Sequence, residues 1–560
     1  MIYRFIIKLI LSVIIILVGF VSNLRSQNAH LRVSCADSLN TDFPKSVSFA
    51  DYQAIKSYCS TLIAEYKTAG YIAASVDKLV KSSDTTYADL YLGKLYRISS
   101  FNIPQIASLQ LRMLNLNAQK ITGKPFSQSL LNELSQKILL YYAEQGFPFA
   151  EATPTVNFPA PGKAEVEYSI IKNTKVYYNE IFLKGSGKIS EKYIYGKLQI
   201  KPGKPYNESR VQQISDNIST VPFLLEIRKS SLEFYENKAD LYLYLKPKKS
   251  NRFNGIVGFI PDSLNDYKLD ITGNLQFDLY NSFNRGEYIS LEWKRNREKS
   301  QLLQTEFIYP YPLGYNIELS SMVLLDKTDS LHFDVEYAVG TNYLFGKNSK
   351  LTLSYRMKNS SVTGQSELAD LSDTKRSVFS IGYSKQHIDY APNPYSGYAF
   401  SLLVGAGKRQ YKEESAELYT LDLAADWYLP LYKRLIIFSK LNIKGQLSQT
   451  PLFDNELYKF GGIRTMRGFD EDYFNVQHYA VYTAEFRYLY DTNAAAYFFS
   501  DIGYYTKNKM PGDFVWGFGP GVNIDTKAGI FSFNYALGKT MGNPILFSQS
   551  KIHIAYINRF

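Results

Sequence analysis

The chain has 560 residues and a net charge of +11, too long for one ordinary domain. Aromatic residues make up 15% of it, with 47 Tyr and 35 Phe against 3 Trp, yet hydrophobic content is 45% and mean hydropathy is slightly negative. A bundle of membrane helices needs repeated apolar runs of about 20 residues, and past the N-terminus the sequence has none. Basic residues are spread along the chain rather than clustered, which reads as solvated faces and lipopolysaccharide contact, and against nucleic acid.

Residues 1–26 read as a secretory signal peptide. Arg4 and Lys8 form the basic start, Leu9 to Val21 the apolar stretch, and Ser26-Gln27 the cleavage region. Arg32 sits where an apolar residue would be needed ahead of a lipidated Cys35. Cys35 and Cys59 are too few for a disulfide framework, and sequence leaves their pairing open.

An internal repeat follows. Gly123-Lys124-Pro125-Phe126-Ser127 aligns with Gly203-Lys204-Pro205-Tyr206-Asn207. Ser127 and Asn207 are good helix N-caps, and each precedes a helical pattern: Leu130, Leu131, Leu134 and Ile138, then Val211, Ile214 and Ile218. Strand-like runs come next, Glu165 to Ile171 in one copy and Ala239 to Leu245 in the other. A degenerate third copy, without a clear opening strand, has a helix over Tyr52 to Tyr66 and strands at 72–76 and 87–92. This helix, Gly-aromatic, strand, strand order resembles polypeptide-transport-associated (POTRA) domains, assigned to 45–94 (degenerate), 95–173 and 174–249. The resemblance implies capture of extended clients at a sheet edge; a rigid periplasmic spacer is the plainer alternative.

From Phe253 on, the sequence predicts sixteen strands, starting near 253, 268, 287, 301, 315, 331, 347, 376, 396, 417, 433, 478, 495, 512, 529 and 549. In the second, Leu269, Ile271, Leu275, Phe277 and Leu279 alternate with Lys268, Asp270, Thr272, Asn274, Gln276 and Asp278, an apolar outer face over a polar lumen. Residues 250–560 are therefore expected to form an antiparallel transmembrane β-barrel. Connections such as Tyr309-Pro310-Tyr311-Pro312 suit short periplasmic turns, and Lys358–Lys375 and Gly445–Gln477 suit long outer loops. Tyr556 and the terminal Phe560 read as a barrel-assembly signal, with Asn558 as a departure from it.

The loop before the twelfth strand carries Gly461-Gly462-Ile463-Arg464-Thr465-Met466-Arg467-Gly468-Phe469. Together with the POTRA-like array and the sixteen strands, this motif resembles the BamA/TamA-type superfamily of outer-membrane protein assembly factors, which also includes two-partner secretion transporters. The resemblance implies that loop 446–477 folds into the lumen and rests its Arg-Gly-Phe tip on the inner wall. Met466 stands where Val or Ile is usual. An arginine in a narrow lumen needs carboxylates, and Glu485 and Asp501 on the following strands are the candidate partners of Arg467. Glu471-Asp472 reads as solvated surface.

No catalytic, cofactor or metal constellation is evident: there is no G-x-S-x-G, no P-loop, no cysteine-pair zinc pattern, and the five histidines lack metal-ligand spacing. The resemblance implies a non-enzymatic insertase in the outer membrane of a Gram-negative bacterium. Its partners would be unfolded outer-membrane β-barrel proteins, periplasmic chaperones, accessory lipoproteins and membrane lipid. Modest outer loops point to an accessory, TamA-like member. A two-partner secretion transporter and a passive outer-membrane pore are the alternatives.

Overall fold

The structure is a computed structural model. It describes residues 29–35, 47–186, 188–261, 269–295, 300–328, 331–346, 348–364, 370–389, 393–507, 511–526 and 529–559, with backbone alone for 256–261, 269–273 and 557–559. The expected signal peptide and Phe560 lie outside the described residues. Two compact units divide the chain: residues up to 179 with 203–211 and 234–239, and residues 180–202, 212–233 and 240–560.

Three small sheets share one plan. An opening strand lies parallel to the last strand, which pairs antiparallel with the middle one. The second sheet shows it plainly, with Arg97–Asn102 beside Lys163–Ile171 and Glu151–Ala160 outermost. The third has the same order in Tyr177–Lys184, Lys238–Pro247 and Leu224–Tyr235. The first opens on Ala29–Cys35, a strand that the sequence analysis did not assign. It runs parallel to Thr85–Tyr91 and carries Val47–Phe49 on its outer side.

The Gly-Lys-Pro repeat acquires a structural reason here. In both copies it lies along the opening strand: Ile98 N donates to Lys124 O at 2.9 Å and Gly123 N to Ile98 O at 2.8 Å. Tyr178 N and Gly203 N make the matching bonds to Lys204 O and Tyr178 O at 2.9 and 2.7 Å. The turn thus occupies an edge that would otherwise offer unpaired backbone groups. Gly123 and Gly203 have φ of +88° and +77° with open space around them, so backbone conformation rather than crowding requires glycine. Ser127 then caps the helix Gln128–Glu144 by accepting from Leu130 N, and Asn207 accepts from Arg210 N. That helix buries Leu131, Leu134 and Ile138 against Ile98, Val166 and Tyr168 of its sheet.

The remainder is a closed sixteen-stranded barrel. In chain order the strands are Arg252–Pro261, Leu269–Tyr280, Tyr288–Arg295, Gln301–Pro310, Ile317–Thr328, His332–Phe345, Ser349–Val362 and Thr374–Ile388. Then follow Gly397–Tyr411, Glu414–Tyr432, Leu435–Ser448, His478–Asp491, Ala494–Thr506, Asp513–Asp525, Ile530–Thr540 and Lys551–Arg559. The barrel expected from sequence is borne out. The sixth strand shows why alternation sufficed: Phe333, Tyr337, Val339 and Tyr343 are exposed outward, while His332 and Asp334 are buried inward.

In the second unit, the helix Glu191–Leu198 lies against the turns 281–287 and 311–316. Tyr193 meets the ring of Tyr311 edge-on at 5.4 Å, and Ser190 N donates to Asn284 O at 2.7 Å. A side chain at Gly196 would strike Tyr311, and one at Gly286 would strike Tyr193.

Candidate functional site

The segment 449–477 joins the eleventh and twelfth strands. It forms a 3-10 turn at Asp454–Glu456 and a ribbon of Tyr458–Phe460 paired with Phe474–Val476, with residues 461–473 as its tip. Its side chains meet the wall on widely separated strands. Arg464 pairs with Glu292 of the third at 3.3 Å and Lys459 with Asp326 of the fifth at 3.6 Å. Glu456 pairs with Arg409 of the ninth at 2.7 Å, and Asp470 with Lys551 of the sixteenth at 2.8 Å. A single loop can reach all of these only from within the barrel.

Apolar packing sets the loop's position. Phe460 stacks between Phe474 and Tyr479 with centroids at 4.8 and 4.9 Å. Met466 and Phe469 complete the cluster against Tyr479, Val481 and Val515 of the wall. Met466 is fully buried, so the unbranched side chain fills the place where Val or Ile was the expected residue.

Arg467 is held by both candidate carboxylates. Its Nε and Nη2 donate to Asp501 Oδ2 and Oδ1 at 2.8 and 2.7 Å, a bidentate fork, and its backbone N donates to Oδ2 at 3.1 Å. Nη1 donates to Glu485 Oε1 at 2.7 Å, and Arg487 Nε holds the other oxygen at 2.6 Å. The guanidinium lies over Phe499 at 3.7 Å. Arg467, Glu485 and Asp501 are under 10% exposed and the Arg487 side chain is 14% exposed, so the two negative charges and the two arginines neutralise one another largely away from bulk water.

The glycines have distinct duties. Gly461 and Gly462 take φ of +136° and +87°, and a Cβ on them would meet Asp470 O and the Glu471 carboxylate. Gly468, at φ +93°, lies flat on the fifteenth strand; its Cβ would stand 2.8 Å from Gly538 Cα and N and from Leu537 C. Backbone on both sides leaves no room to yield. Gly468→Ala is expected to lower stability by about 2–4 kcal/mol, from positive φ and overpacking together. The check is the temperature at which the barrel loses its heat-modifiable mobility on gels; an unchanged midpoint would refute the close approach.

Glu471 and Asp472 are exposed, as the sequence reading has them, and add contacts it did not: Asp472 accepts from Lys294 Nζ at 3.0 Å, and Glu471 accepts from Ile463 N at 2.9 Å. Once the tip turns inside the barrel, neighbouring carboxylates face a charged wall. Sequence reasoning also missed Arg409, Glu456, Lys294 and Lys551. His553, given no role earlier, accepts from Gly468 N at 3.4 Å. Tyr556 packs on Phe531 of the adjacent strand, with ring centroids at 4.7 Å.

The first and last strands meet weakly. Arg252 pairs with Arg559 and Phe253 with Asn558, whereas the first strand pairs with the second from Arg252–Asp278 through Pro261–Leu269.

Residues 281–547 match the Omp85 superfamily domain. The chain is 21% identical over 184 residues to the outer membrane protein assembly factor BamA of Nitratidesulfovibrio vulgaris, an alignment covering 32% of this chain and 22% of that protein, about a fifth of its length. Among solved structures, CdiB of Acinetobacter baumannii shares the fold with a TM-score of 0.55 at 16% identity, covering 91% of this chain and 97% of that one. CdiB of Escherichia coli gives 0.56 at 13% identity, covering 93% and 100%. Residues 281–547 thus carry an Omp85 superfamily domain, and the chain is an outer-membrane protein.

Proposed function

We propose that this protein inserts β-barrel proteins into the outer membrane, with its three POTRA-like sheets in the periplasm. The observation that carries this reading is the seam. Among the described residues its strands are in register at two pairs, Arg252–Arg559 and Phe253–Asn558, so fewer edge backbone groups meet there than along the ten-pair ladder of the first and second strands. Hydrocarbon supplies no partner for such groups, so an incoming client strand is stabilised by pairing there. Folding of the client supplies the free energy, and no nucleotide or catalytic residue enters. Unfolded outer-membrane polypeptides are the clients on this reading. Periplasmic chaperones, accessory lipoproteins and lipopolysaccharide are the surrounding partners.

Export of a polypeptide through a two-partner system is the second reading, favoured by the near-complete overlap in fold with CdiB. Depleting the protein in its host and quantifying folded outer-membrane barrels separates the two. A broad fall is expected. Loss of one secreted protein with normal barrels would favour export, and altered solute uptake alone would mean a passive pore.

A further inference from the structure

Among the loop's contacts with the wall, two buried groups share no residue. The tip holds to the twelfth, thirteenth and fifteenth strands through Arg467 and Gly468. The root holds to the opposite run of strands. There Arg409 and Glu456 are 0% and 1% exposed. Arg409 Nε donates to both Glu456 oxygens at 2.7 and 2.8 Å, and Nη1 donates to Thr450 Oγ1 at 2.7 Å. The guanidinium lies between the rings of Tyr411 and Phe453, at 4.8 and 5.0 Å. Glu456 Oε2 also accepts from Phe453 N, closing its own turn. Its carbonyl accepts from Arg376 Nη1 and Gln446 Nε2 at 3.1 and 2.9 Å. Beside it, Asn455 Nδ2 donates to Ser360 Oγ at 2.6 Å and Ser372 O at 2.9 Å. The root is drier than the tip, where Arg467 and Glu485 keep 7% and 5% exposure and the carboxylate of the outlying pair Asp470–Lys551 is exposed.

Under the root lies a lumen cavity of about 670 Å³. Its lining combines charged groups of the wall, such as Asp326, Lys358 and Arg376, with Asn455, Glu456 and Lys459 of the loop.

We infer that Arg409 and Glu456 form a second, permanent lock, which keeps the lumen sealed while the tip lock opens and closes. The root pair is a positioning device: it touches no client, and it confines motion to residues beyond 457. This extends the functional reading above, and it rests on that reading only for the idea that the tip moves. A buried ion pair split by removal of one partner leaves an unpaired charge in a dry site, so the root does not open in ordinary thermal motion. Because the two locks lie apart without shared partners, their effects should be separable.

The test is single-channel conductance of the full chain in planar bilayers, which needs no client and so stands apart from the insertase reading. Glu456→Gln is expected to raise conductance several-fold. Arg409→Lys, which keeps the charge and loses the fork, gives a smaller rise and covers the case in which the first variant fails to fold. Arg467→Ala, which frees the tip alone, is expected to raise conductance less than Glu456→Gln does. With Cys35 and Cys59 replaced by serine, Ser360→Cys/Asn455→Cys in the Glu456→Gln background should return conductance to wild type on oxidation and release it on reduction. Equal opening by Arg467→Ala, unchanged conductance in both root variants, or a formed staple that does not reseal the lumen would each overturn the inference.

Discussion

Arg467→Ala is expected to detach the loop tip and destabilise the barrel by about 3–5 kcal/mol, the usual consequence of removing one partner from a buried ionic cluster. The cost falls unevenly. Glu485 keeps Arg487 at 2.6 Å, whereas Asp501, 1% exposed, loses both arms of its fork. Asp501 would then have to take up a proton or draw in water, and either loosens the strand that carries it. Arg467→Lys keeps a charge but cannot make the planar two-armed contact, so it should recover part of the loss. Two measurements check this: the gel midpoint described above, and trypsin cleavage after Arg464, whose exposed side chain becomes accessible when the tip leaves the wall. Wild-type behaviour in both would sink the claim that this cluster holds the loop. If the proposed function is right, client assembly falls in step, because a displaced tip also abandons Gly538 and His553 on the last two strands.

The barrel was legible because a membrane strand states its two faces residue by residue. Alternation such as Phe333, Tyr337 and Tyr343 against His332 and Asp334 needs no partner to be read, and the strand starts follow. Ser127 and Asn207 were legible as caps because their bonds are local. The loop motif was legible because three glycines around two arginines suit no ordinary solvated loop. Ala29–Cys35 was not read as a strand: seven residues flanking Arg32 carry little pattern, and the segment becomes a strand through Thr85–Tyr91, far along the chain. The root lock was hidden for a related reason. Alternation says that Arg409 faces the lumen, but which carboxylate meets it depends on how a loop folds across the barrel, and Glu456 reaches it only because the turn Asp454–Glu456 is fixed by bonds to four strands. Lys294 and Asp472 met the same limit. Sequence marks lumen-facing charges; the path of the loop pairs them.

On the proposed insertase function, stapling the seam is expected to stop client insertion altogether while leaving the barrel folded. Phe253 and Asn558 are partners in the register of the first and last strands. Opposed residues of an antiparallel pair have Cα atoms about 4.5–5.5 Å apart, within the usual disulfide span of about 4.4–6.8 Å. Phe253→Cys/Asn558→Cys, in a chain with Cys35 and Cys59 replaced, should therefore cross-link under mild oxidation. The seam has two register pairs, against ten between the first and second strands. With each backbone hydrogen bond worth roughly 0.5–1.5 kcal/mol net, it is the cheapest line along which this barrel can part. A client strand that enters by pairing with the free edge must separate those two pairs, and a covalent bond forbids it. Insertion of a test barrel protein into liposomes holding the purified chain should then cease on oxidation and return with reductant. A matching staple at Val335 and Asn359, inside a fully zipped pair, should change nothing. If the seam staple forms and insertion continues, clients do not enter between the first and last strands; a polypeptide passing through the lumen, as the export reading requires, would then be the better account.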